Sequence, residues 1–498
     1  MSQDNESQTR EFQTRMTEMF RNMPPPPKPE ADGGGQDDGV KTERQPEGIH
    51  FDMKPEELEA YLDQYVVRQD RAKEVLATKI CTHFNKIRLG EPEDESAVGH
   101  IKNNILMIGP TGVGKTYLIK LIARKIGVPF VKGDATKFSE TGYVGGDVED
   151  LVRDLVRDAD GDIERAQVGI IYIDEIDKIA ASGSWVGPDV SRTGVQRNLL
   201  KLMEETEVDM RVPHDLASQM EAMMQFQRTG KVEKKKVNTR NILFIVSGAF
   251  SGLEDRIQKR LHKQTIGFGA DHLRSAEVDG DLLKRVKSED LIEYGFESEF
   301  VGRLPVVAVL DELTEEDLYH ILKNPESSVI VEKKRDFQAY GIKMGFEEDA
   351  LREMARMAYP ERTGARGLVS VFEKVLLKFE KKLPSTDIKR FVLTADMVQD
   401  PDMGLARLLT EAPVQQYQED FLRENAIHLS FTPAAIQCLA DRAGEKGEEI
   451  GALCRELLDD YGYGLKLTHA ETFEVTEEVI EDSKGVLDRM IKTFYGKK

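Results

Sequence analysis

Cysteine and long apolar runs are scarce in this sequence, and each scarcity argues against a class of protein. Among 498 residues there are only three cysteines. Cys81, Cys438 and Cys454 lie far apart and form no CxxC pair, so the sequence supports neither a disulfide framework nor a zinc site. No stretch approaches the roughly 18 apolar residues of a membrane span. The opening residues, MSQDNESQTR, are too polar for a secretory signal, and we expect a cytoplasmic protein.

Basic residues are outnumbered as well. The chain holds 69 Lys and Arg against 90 Asp and Glu, and its formal net charge is -21. This balance argues against a general nucleic-acid or anionic-membrane binder, because both of those partners are negatively charged. With 40% hydrophobic and 32% charged residues, the composition is typical of a globular protein. The length predicts roughly two to four domains.

The character of the sequence changes along the chain. Residues 1–50 carry proline and glycine runs among polar neighbours, and we expect a disordered leader because so little apolar surface could be buried. Residues 51–314 are predicted to form a large α/β domain. Three apolar strand patterns, NNILMIG, GIIYID and RNILFIVSG, alternate there with helical patterns, which indicates a parallel sheet covered on both faces. Residues 315–402 are predicted to form a smaller, mainly helical α+β domain.

Residues 413–498 are similar to the small domain in order and approximate spacing. DFQAYGIKMGFEEDALREMARMA is echoed by DFLRENAIHLSFTPAAIQCLADRA, and FVLTADMVQD by FEVTEEVIED. We interpret this as a degenerate repeat of the small domain. The alternative is two unrelated helical segments with common amphipathic spacing. The matched residues are Phe337 with Phe421, Ile342 with Ile427, Phe346 with Phe431, Ala350 with Ala435, and Phe391 with Phe473.

A phosphate-binding loop follows the first apolar strand. The motif GPTGVGKT fits G-x-x-x-x-G-K-[ST] and stands between a strand and a helix. Backbone N–H groups of such a loop and the helix N-terminus can hold phosphate oxygens. We expect Lys115 to neutralise the β- and γ-phosphates and Thr116 to bind Mg²⁺. The loop consists of Gly109, Pro110, Thr111, Gly112, Val113, Gly114, Lys115 and Thr116.

Two adjacent carboxylates end the second apolar strand. In IIYIDEID, Asp174 stands where it can reach the Mg²⁺ shell, and Glu175 follows as the base that polarises an attacking water. Acidic residues at strand ends are often only solvated caps. Here they follow an apolar strand at a plausible distance after a phosphate-binding loop. We therefore predict an ATPase with ATP and Mg²⁺ as cofactors.

Four further segments carry a family resemblance: GYVG at 142–145, IGFGA at 266–270, EFVGRLP at 299–305 and RTGARGL at 362–368. With the two motifs above, their wording and order resemble the ClpX family of AAA+ unfoldases over about residues 55–390. Some segments, such as ATKFSETGYVG, are more similar to the related HslU. The resemblance implies an AAA+ P-loop NTPase large domain with a parallel sheet, a small domain, and a homohexamer.

The resemblance also assigns roles around the nucleotide. Arg303 matches the arginine finger that reaches a neighbouring subunit's nucleotide, and Arg366 matches the second sensor, which touches the γ-phosphate. Either arginine alone would more often be a surface salt-bridge partner. Ser247 stands where the first sensor is expected. Val66 and Val67 belong to the apolar segment that contacts the adenine.

Two loops are assigned to protein partners by the same resemblance. The substrate pore loop consists of Gly142, Tyr143, Val144 and Gly145. Tyr143 would push on a translocating chain. The loop that docks on a ClpP-type peptidase consists of Ile266, Gly267 and Phe268. An exposed Ile-Gly-Phe is costly unless a partner buries it. The alternative is that Phe268 folds back onto its own domain.

The sequence departs from the family in three places. It lacks the N-terminal four-cysteine domain, so no zinc is expected. Arg68 stands where the family typically has glycine, beside the adenine segment. In the C-terminal repeat, Leu453 replaces the matching Arg366 and no second phosphate-binding loop is present. We expect that repeat not to hydrolyse ATP.

These patterns predict an ATP-dependent unfoldase and translocase that feeds protein substrates to a ClpP-type peptidase. No nucleic acid or membrane partner is expected. One alternative keeps the motor but removes the peptidase, giving a stand-alone remodelling chaperone. A second alternative is an ATP-switched scaffold whose C-terminal repeat binds partners. A nucleic-acid motor is disfavoured by the acidic balance and the aromatic pore loop.

Overall fold

Most of the chain from residue 51 onward is described by the computed structural model. The described residues are 51–89, 102–139, 146–181, 190–210, 235–264, 282–326 and 328–496. Three predictions therefore lie outside the described residues: the disordered leader, the pore loop at 142–145 and the docking loop at 266–268.

A parallel sheet forms the centre of the large domain. The described strands of the large domain are β1 (Ile105–Ile108), β2 (Phe130–Asp134), β3 (Ile170–Asp174), β4 (Glu207–Asp209), β5 (Lys236–Asn238), β6 (Leu243–Gly248) and β7 (Val306–Val309). Five of them pair in parallel in the order β2-β3-β6-β1-β7, and β4 pairs with β5 antiparallel. The parallel sheet predicted from the sequence is confirmed. The three apolar patterns became the three central strands, whereas the edge strands were not predicted: β2 contains polar residues, and β7 is a short apolar run of four residues.

Helices cover both faces of this sheet. In chain order they are α1 (Pro55–Asp63), α2 (Asp70–Leu89), α3 (Lys115–Ile126), α4 (Asp150–Asp158), α5 (Ile163–Ala166), α6 (Val190–Met203), α7 (Leu253–Gln264), α8 (Ser288–Tyr294) and α9 (Ser298–Gly302). Short 3-10 helices lie at Ala135–Lys137, Ile176–Ile179 and Leu283–Arg285. None of the helices in the described ranges is long and apolar enough to cross a membrane.

The alternation of side chains along the strands explains the continuous apolar runs. Ile105 and Met107 of β1 point into one core cluster, and Leu106 and Ile108 into the other. Successive side chains of a strand face opposite sides of the sheet, so a strand buried on both faces needs apolar residues at every position. The polar residues that follow these strands therefore lie together at the edge of the sheet where the parallel strands have their carboxyl ends.

The small domain packs helices around a two-stranded sheet. Its elements are α10 (Glu315–Lys323), α11 (Ser328–Gln338), β8 (Lys343–Phe346), α12 (Glu348–Ala358), α13 (Ala365–Lys382), β9 (Arg390–Leu393) and α14 (Ala395–Gln399), with 3-10 turns at Tyr359–Glu361 and Leu383–Ser385. Its core is continuous with that of the large-domain face formed by α1, α2 and α3. The α+β character predicted for this region is confirmed.

A C-terminal unit with a separate core follows. Its elements are α15 (Pro401–Asn425), β10 (His428–Phe431), α16 (Pro433–Lys446), α17 (Ile450–Leu458), α18 (Tyr461–Leu467), β11 (Thr472–Val475), α19 (Glu477–Glu481) and α20 (Ser483–Gly496). The buried residues of this unit form their own cluster. The 25-residue helix α15 leads out of the small domain and into this unit without interruption.

The two strand pairs have equivalent registers. In the small domain β8 pairs in parallel with β9, and Met344 lies opposite Phe391. In the C-terminal unit β10 pairs in parallel with β11, and Leu429 lies opposite Phe473. Phe391 and Phe473 are the residues that the sequence comparison matched. The equivalent registers agree with the proposal that the C-terminal unit repeats the small domain.

The segment before α2 is hydrogen-bonded to the connection between the large and the small domain. Gln69 is only 1% exposed. Its side-chain amide donates to the Asp311 carbonyl and accepts from the Asp311 N–H, each at 2.8 Å. Arg68 has a left-handed backbone with φ 59 and forms an ion pair with Asp317 at 2.7 Å. A glycine would suit this conformation, and the arginine adds an ion pair to α10.

Replacing Gln69 by alanine tests these hydrogen bonds. Gln69→Ala leaves both polar groups of the Asp311 backbone without their partner, and we expect a loss of about 1–3 kcal/mol in the free energy of unfolding. Chemical denaturation of the full chain measures it. The matched control is Gln338→Ala, an exposed glutamine on α11. Equal midpoints for the two variants would contradict their contribution to stability.

Candidate functional site

The phosphate-binding loop joins β1 to α3 in a conformation that needs glycine. Gly112 has φ +76 and Gly114 has φ +96, both in the left-handed region. Gly114 is the residue before the first turn of α3. The free N–H groups of a helix start carry partial positive charge, and they can bind an anion at this position. The loop therefore has the geometry of a phosphate site.

Lys115 is held inside this loop. It is 8% exposed, and its Nζ donates to the carbonyls of Gly109 at 2.6 Å and Pro110 at 2.8 Å. Burial lowers the pKa of Lys115, an effect that the negative charge of Asp174 partly offsets. The two loop carbonyls thus hold the Lys115 ammonium within the phosphate-binding loop.

Asp174 collects contacts from three neighbouring elements. Its Oδ2 lies 2.9 Å from Lys132 Nζ on β2 and accepts from Thr116 Oγ1 on α3 at 3.2 Å. Its Oδ1 accepts from Ser247 Oγ on β6 at 2.7 Å. Burial raises the pKa of the Asp174 carboxyl, but the hydrogen bonds from Lys132 and Ser247 outweigh it and hold that pKa below its ordinary value. The group is therefore a carboxylate at neutral pH.

Thr116 and Asp174 fit a magnesium site. Mg²⁺ prefers hard oxygen ligands, is commonly bound by one or two protein oxygens and keeps several waters. A threonine hydroxyl at 3.2 Å from a carboxylate, both facing the phosphate-binding loop, is such a donor set. The two residues named from the sequence are thus brought together.

Glu175 follows directly after the strand and is exposed. Its backbone has φ 58, in the left-handed region, although it is not glycine, and its N–H donates to Asp174 Oδ1 at 3.1 Å. Non-glycine residues in this region cost about 1–3 kcal/mol and cluster at functional sites. Glu175 lines the cleft beside the loop.

A cleft of about 390 Å³ surrounds these groups. The large domain contributes the phosphate-binding loop, Asp174, Glu175 and the apolar pair Val66 and Val67. The small domain closes the other side. Its lining residues include Ile321, Asn324, Val329, Arg366 and Val369. One end of the cleft is apolar and the other polar, as a nucleotide base and its phosphates require.

The N-terminus of α13 docks directly on the phosphate-binding loop. The Ala365 N–H donates to the Gly112 carbonyl at 2.9 Å. A Cβ at position 112 would lie 1.9 Å from the Thr363 carbonyl oxygen, and one at position 364 would lie 2.7 Å from the Gly112 oxygen. Gly112 and Gly364 also have positive φ. Both positions require glycine, for backbone conformation and for space.

The two arginines named from the sequence lie in different places. Arg366, one residue after the contact with the loop, lines the cleft, and its charge adds to the effect of burial in lowering the pKa of Lys115. Arg303 is not among the residues that line this cleft. Its Nη2 lies 2.6 Å from Glu204 Oε1, and its side chain is half-exposed. Arg303 therefore lies outside the cleft of its own chain and is paired with Glu204.

Ser247 lies behind Asp174 and is fully buried. Its hydroxyl contacts Asp174 and Tyr172, so it meets the site through those two residues. Lys132 and Tyr172 were not named from the sequence, nor were the small-domain residues Ile321 and Val329. The one signal available was a tyrosine inside an otherwise apolar strand, IIYID. The small-domain residues carry no motif.

Residues 100–307 match the family described as AAA domain (Cdc48 subfamily). The matched range runs from just before β1 to β7 and includes the phosphate-binding loop, Asp174, Glu175 and Arg303. This part of the chain is therefore similar to AAA domains. AAA domains are ATPases and usually oligomerise, and the match supports ATPase activity with a nucleotide and Mg²⁺ at that general level.

A substitution at Gly112 tests the docking of the small domain on the loop. Gly112→Ala places a methyl group against the Thr363 carbonyl, whereas Gly127→Ala, at a glycine with φ +79, meets nothing within 4 Å. Both variants bear the backbone cost of about 1–2 kcal/mol for a left-handed alanine. We expect only Gly112→Ala to weaken ATP binding, by about tenfold or more, equal to about 1.4 kcal/mol. Calorimetric titration with a non-hydrolysable ATP analogue measures it, and equal affinities would contradict the docking.

Proposed function

We propose that this protein is an ATP-driven unfoldase and translocase that works as a ring and delivers proteins to a ClpP-type peptidase. The observation that carries the proposal is the cleft between the two ATPase domains. It holds a phosphate-binding loop, a magnesium-type pair, a carboxylate base and a small-domain arginine together. Such a cleft can convert hydrolysis into a change in the angle between two domains.

The chemistry of the proposed reaction is divided among few residues. Lys115 binds the β- and γ-phosphates, and Thr116 and Asp174 would hold Mg²⁺, which neutralises charge on the phosphate oxygens. Glu175 accepts a hydrogen bond from the attacking water and then takes up a proton from that water. Arg366 contacts the γ-phosphate. Because Arg366 follows the Gly364–Ala365 contact with the loop, a change at the phosphate is passed to α13.

Arg303 supplies the argument for a ring. Its side chain is exposed and paired with Glu204 outside the lining of its own cleft. An arginine that stabilises transition-state charge must contact the transferred phosphate. In the proposed assembly, a homohexamer, that contact is made on a neighbouring subunit.

The substrate and peptidase assignments depend on the family resemblance. Tyr143 of the pore loop and Phe268 of the docking loop lie outside the described residues. We propose that Tyr143 moves the substrate and that Phe268 docks on the peptidase. If Phe268→Ala leaves degradation in the presence of a ClpP-type peptidase unchanged, the protein is a remodelling chaperone instead.

The C-terminal unit is proposed to be a non-catalytic copy. Leu453, which stands in place of Arg366, is fully buried within its own core. It cannot reach a nucleotide. This unit is therefore free to serve as a contact for partners while the AAA domain supplies the energy.

Glu175→Gln tests the catalytic assignment. Without a carboxylate base the variant should bind ATP normally but hydrolyse it about 100-fold or more slowly. Steady-state turnover and equilibrium binding of ATP measure the two properties, with Glu164→Gln as an exposed control. Near-normal turnover would contradict the role of Glu175.

The same variant can be used to capture the proteins that bind to the assembly. Tagged Glu175→Gln protein is expressed in its native cell, and the proteins that co-purify with it are identified. Peptidase together with protein clients is the expected result. Clients without a peptidase would favour a remodeller, and neither would favour an ATP-switched scaffold.

A mixing experiment tests whether Arg303 acts across subunits. Arg303→Ala and Glu175→Gln proteins should each be inactive alone. In mixed rings, an intact Glu175 meets an intact Arg303 at some interfaces, and ATPase activity should reappear. Arg157→Ala, an arginine with a 76% exposed side chain paired to Asp154, should be active without mixing. No recovery in mixed rings would contradict action across subunits.

A further inference from the structure

Tyr172 occupies the point where the site joins the buried sheet. It is 0% exposed, and it lies on β3 two residues before Asp174. Its hydroxyl oxygen lies 2.6 Å from Ser247 Oγ on β6 and 3.1 Å from Thr116 Oγ1 on α3. A buried hydroxyl is costly unless it is hydrogen-bonded, and here both neighbours are themselves site residues.

The number of available protons fixes the direction of these hydrogen bonds. Each hydroxyl has one proton to donate, and an ionised carboxylate only accepts. Ser247 gives its proton to Asp174 at 2.7 Å, so Tyr172 must be the donor in its contact with Ser247. The Tyr172 oxygen is then an acceptor on its other side, where Thr116 lies.

Thr116 is therefore surrounded by acceptors on its protein side. Its single proton is directed toward Tyr172 at 3.1 Å and Asp174 at 3.2 Å. The remaining lone pairs of its oxygen consequently face the cleft. A threonine that binds a cation must present its oxygen in this way, because its proton would repel the cation.

We propose that Tyr172 is a positioning residue that orients the Thr116 hydroxyl toward a divalent cation. This inference rests on the proposed nucleotide site and adds to it a residue that does not touch the cation. Lining the interior of β3 does not require the hydroxyl, since Phe would supply the same ring to the core. Its neighbours Ile171 and Ile173 are purely apolar.

The isosteric change Tyr172→Phe tests the proposal. Partners that hold a metal ligand in place typically contribute 10–100-fold to metal affinity. We expect the Mg²⁺ concentration for half-maximal binding of a fluorescent ADP analogue to rise about tenfold. Binding of the same analogue in EDTA should change less than about twofold, because the loop and Lys115 are untouched. Identical Mg²⁺ titrations for Tyr172→Phe and the unmodified protein would overturn the proposal.

A matched control separates orientation from stability. Tyr461 is another buried tyrosine, far along the chain in the C-terminal unit, and its hydroxyl donates to the Ser483 carbonyl at 2.7 Å. Tyr461→Phe removes a comparable hydrogen bond. It should lower the thermal midpoint as Tyr172→Phe does, with no change in the Mg²⁺ titration. An equal shift in the titration for both variants would mean that the effect is merely structural.

A double-mutant cycle guards against a poorly folded single variant. Ser247→Ala removes the acceptor that fixes the Tyr172 proton, which can then turn toward Thr116 and occupy its lone pair. Ser247→Ala should therefore also raise the Mg²⁺ requirement, and Tyr172→Phe added to it should bring no further rise. Additive effects would overturn the proposal. Absence of Mg²⁺-dependent nucleotide binding in the unmodified protein is a separate result, and it would overturn the proposed function together with this inference.

Discussion

The carboxylate of Asp174 is the interaction on which the site depends. It is contacted by Lys132 from β2, Ser247 from β6 and Thr116 from α3, within 2.7 to 3.2 Å. These elements are adjacent because the strand order places β2 and β6 on either side of β3. In a parallel sheet all carboxyl ends meet at one edge, so polar residues that end different strands converge there. The site is thus a consequence of the sheet's direction and order.

Placement of the small domain adds a second constraint. Its helix α13 begins with a backbone hydrogen bond to Gly112, and the space between Gly112 and Gly364 is too small for any side chain. The connection is also fixed at the opposite side by Gln69 and Asp311. The contact of α13 with Gly112 lies at the phosphate-binding loop, and the contact of Gln69 with Asp311 lies close to Val66 and Val67. Both ends of a bound nucleotide would therefore influence the angle between the domains.

Much of the fold could be predicted from the sequence, because both faces of the central strands are buried and each strand is therefore a continuous apolar run. Thr116, Asp174 and Glu175 could be placed as well, since they occur at fixed distances from strand ends. Lys132 could not, because its role depends on which strand lies beside β3, and the order of strands is not written in any local pattern.

Residues of the small domain that line the cleft were missed for a related reason. Ile321 and Val329 lie on ordinary amphipathic helices, where an apolar residue facing a nucleotide looks the same as one facing the core. Tyr172 was the exception that carried a signal, since a hydroxyl within a buried strand requires a partner. Its partners were nevertheless on two other elements, and only the three-dimensional arrangement identifies them.

We propose that the C-terminal unit repeats the small domain, and comparison of the two units indicates how the same small fold can be coupled to a nucleotide or separated from it. In the small domain, Gly364 at the start of α13 lies against Gly112 of the phosphate-binding loop. In the C-terminal unit the matching Gly451 faces its own connecting helix, with the Cβ of Pro413 at 3.9 Å from where its side chain would begin. Helix α15 thus occupies the side on which the first copy meets the ATPase. An arginine at position 453 would have no phosphate to contact, and the buried Leu453 stabilises the core of the C-terminal unit instead.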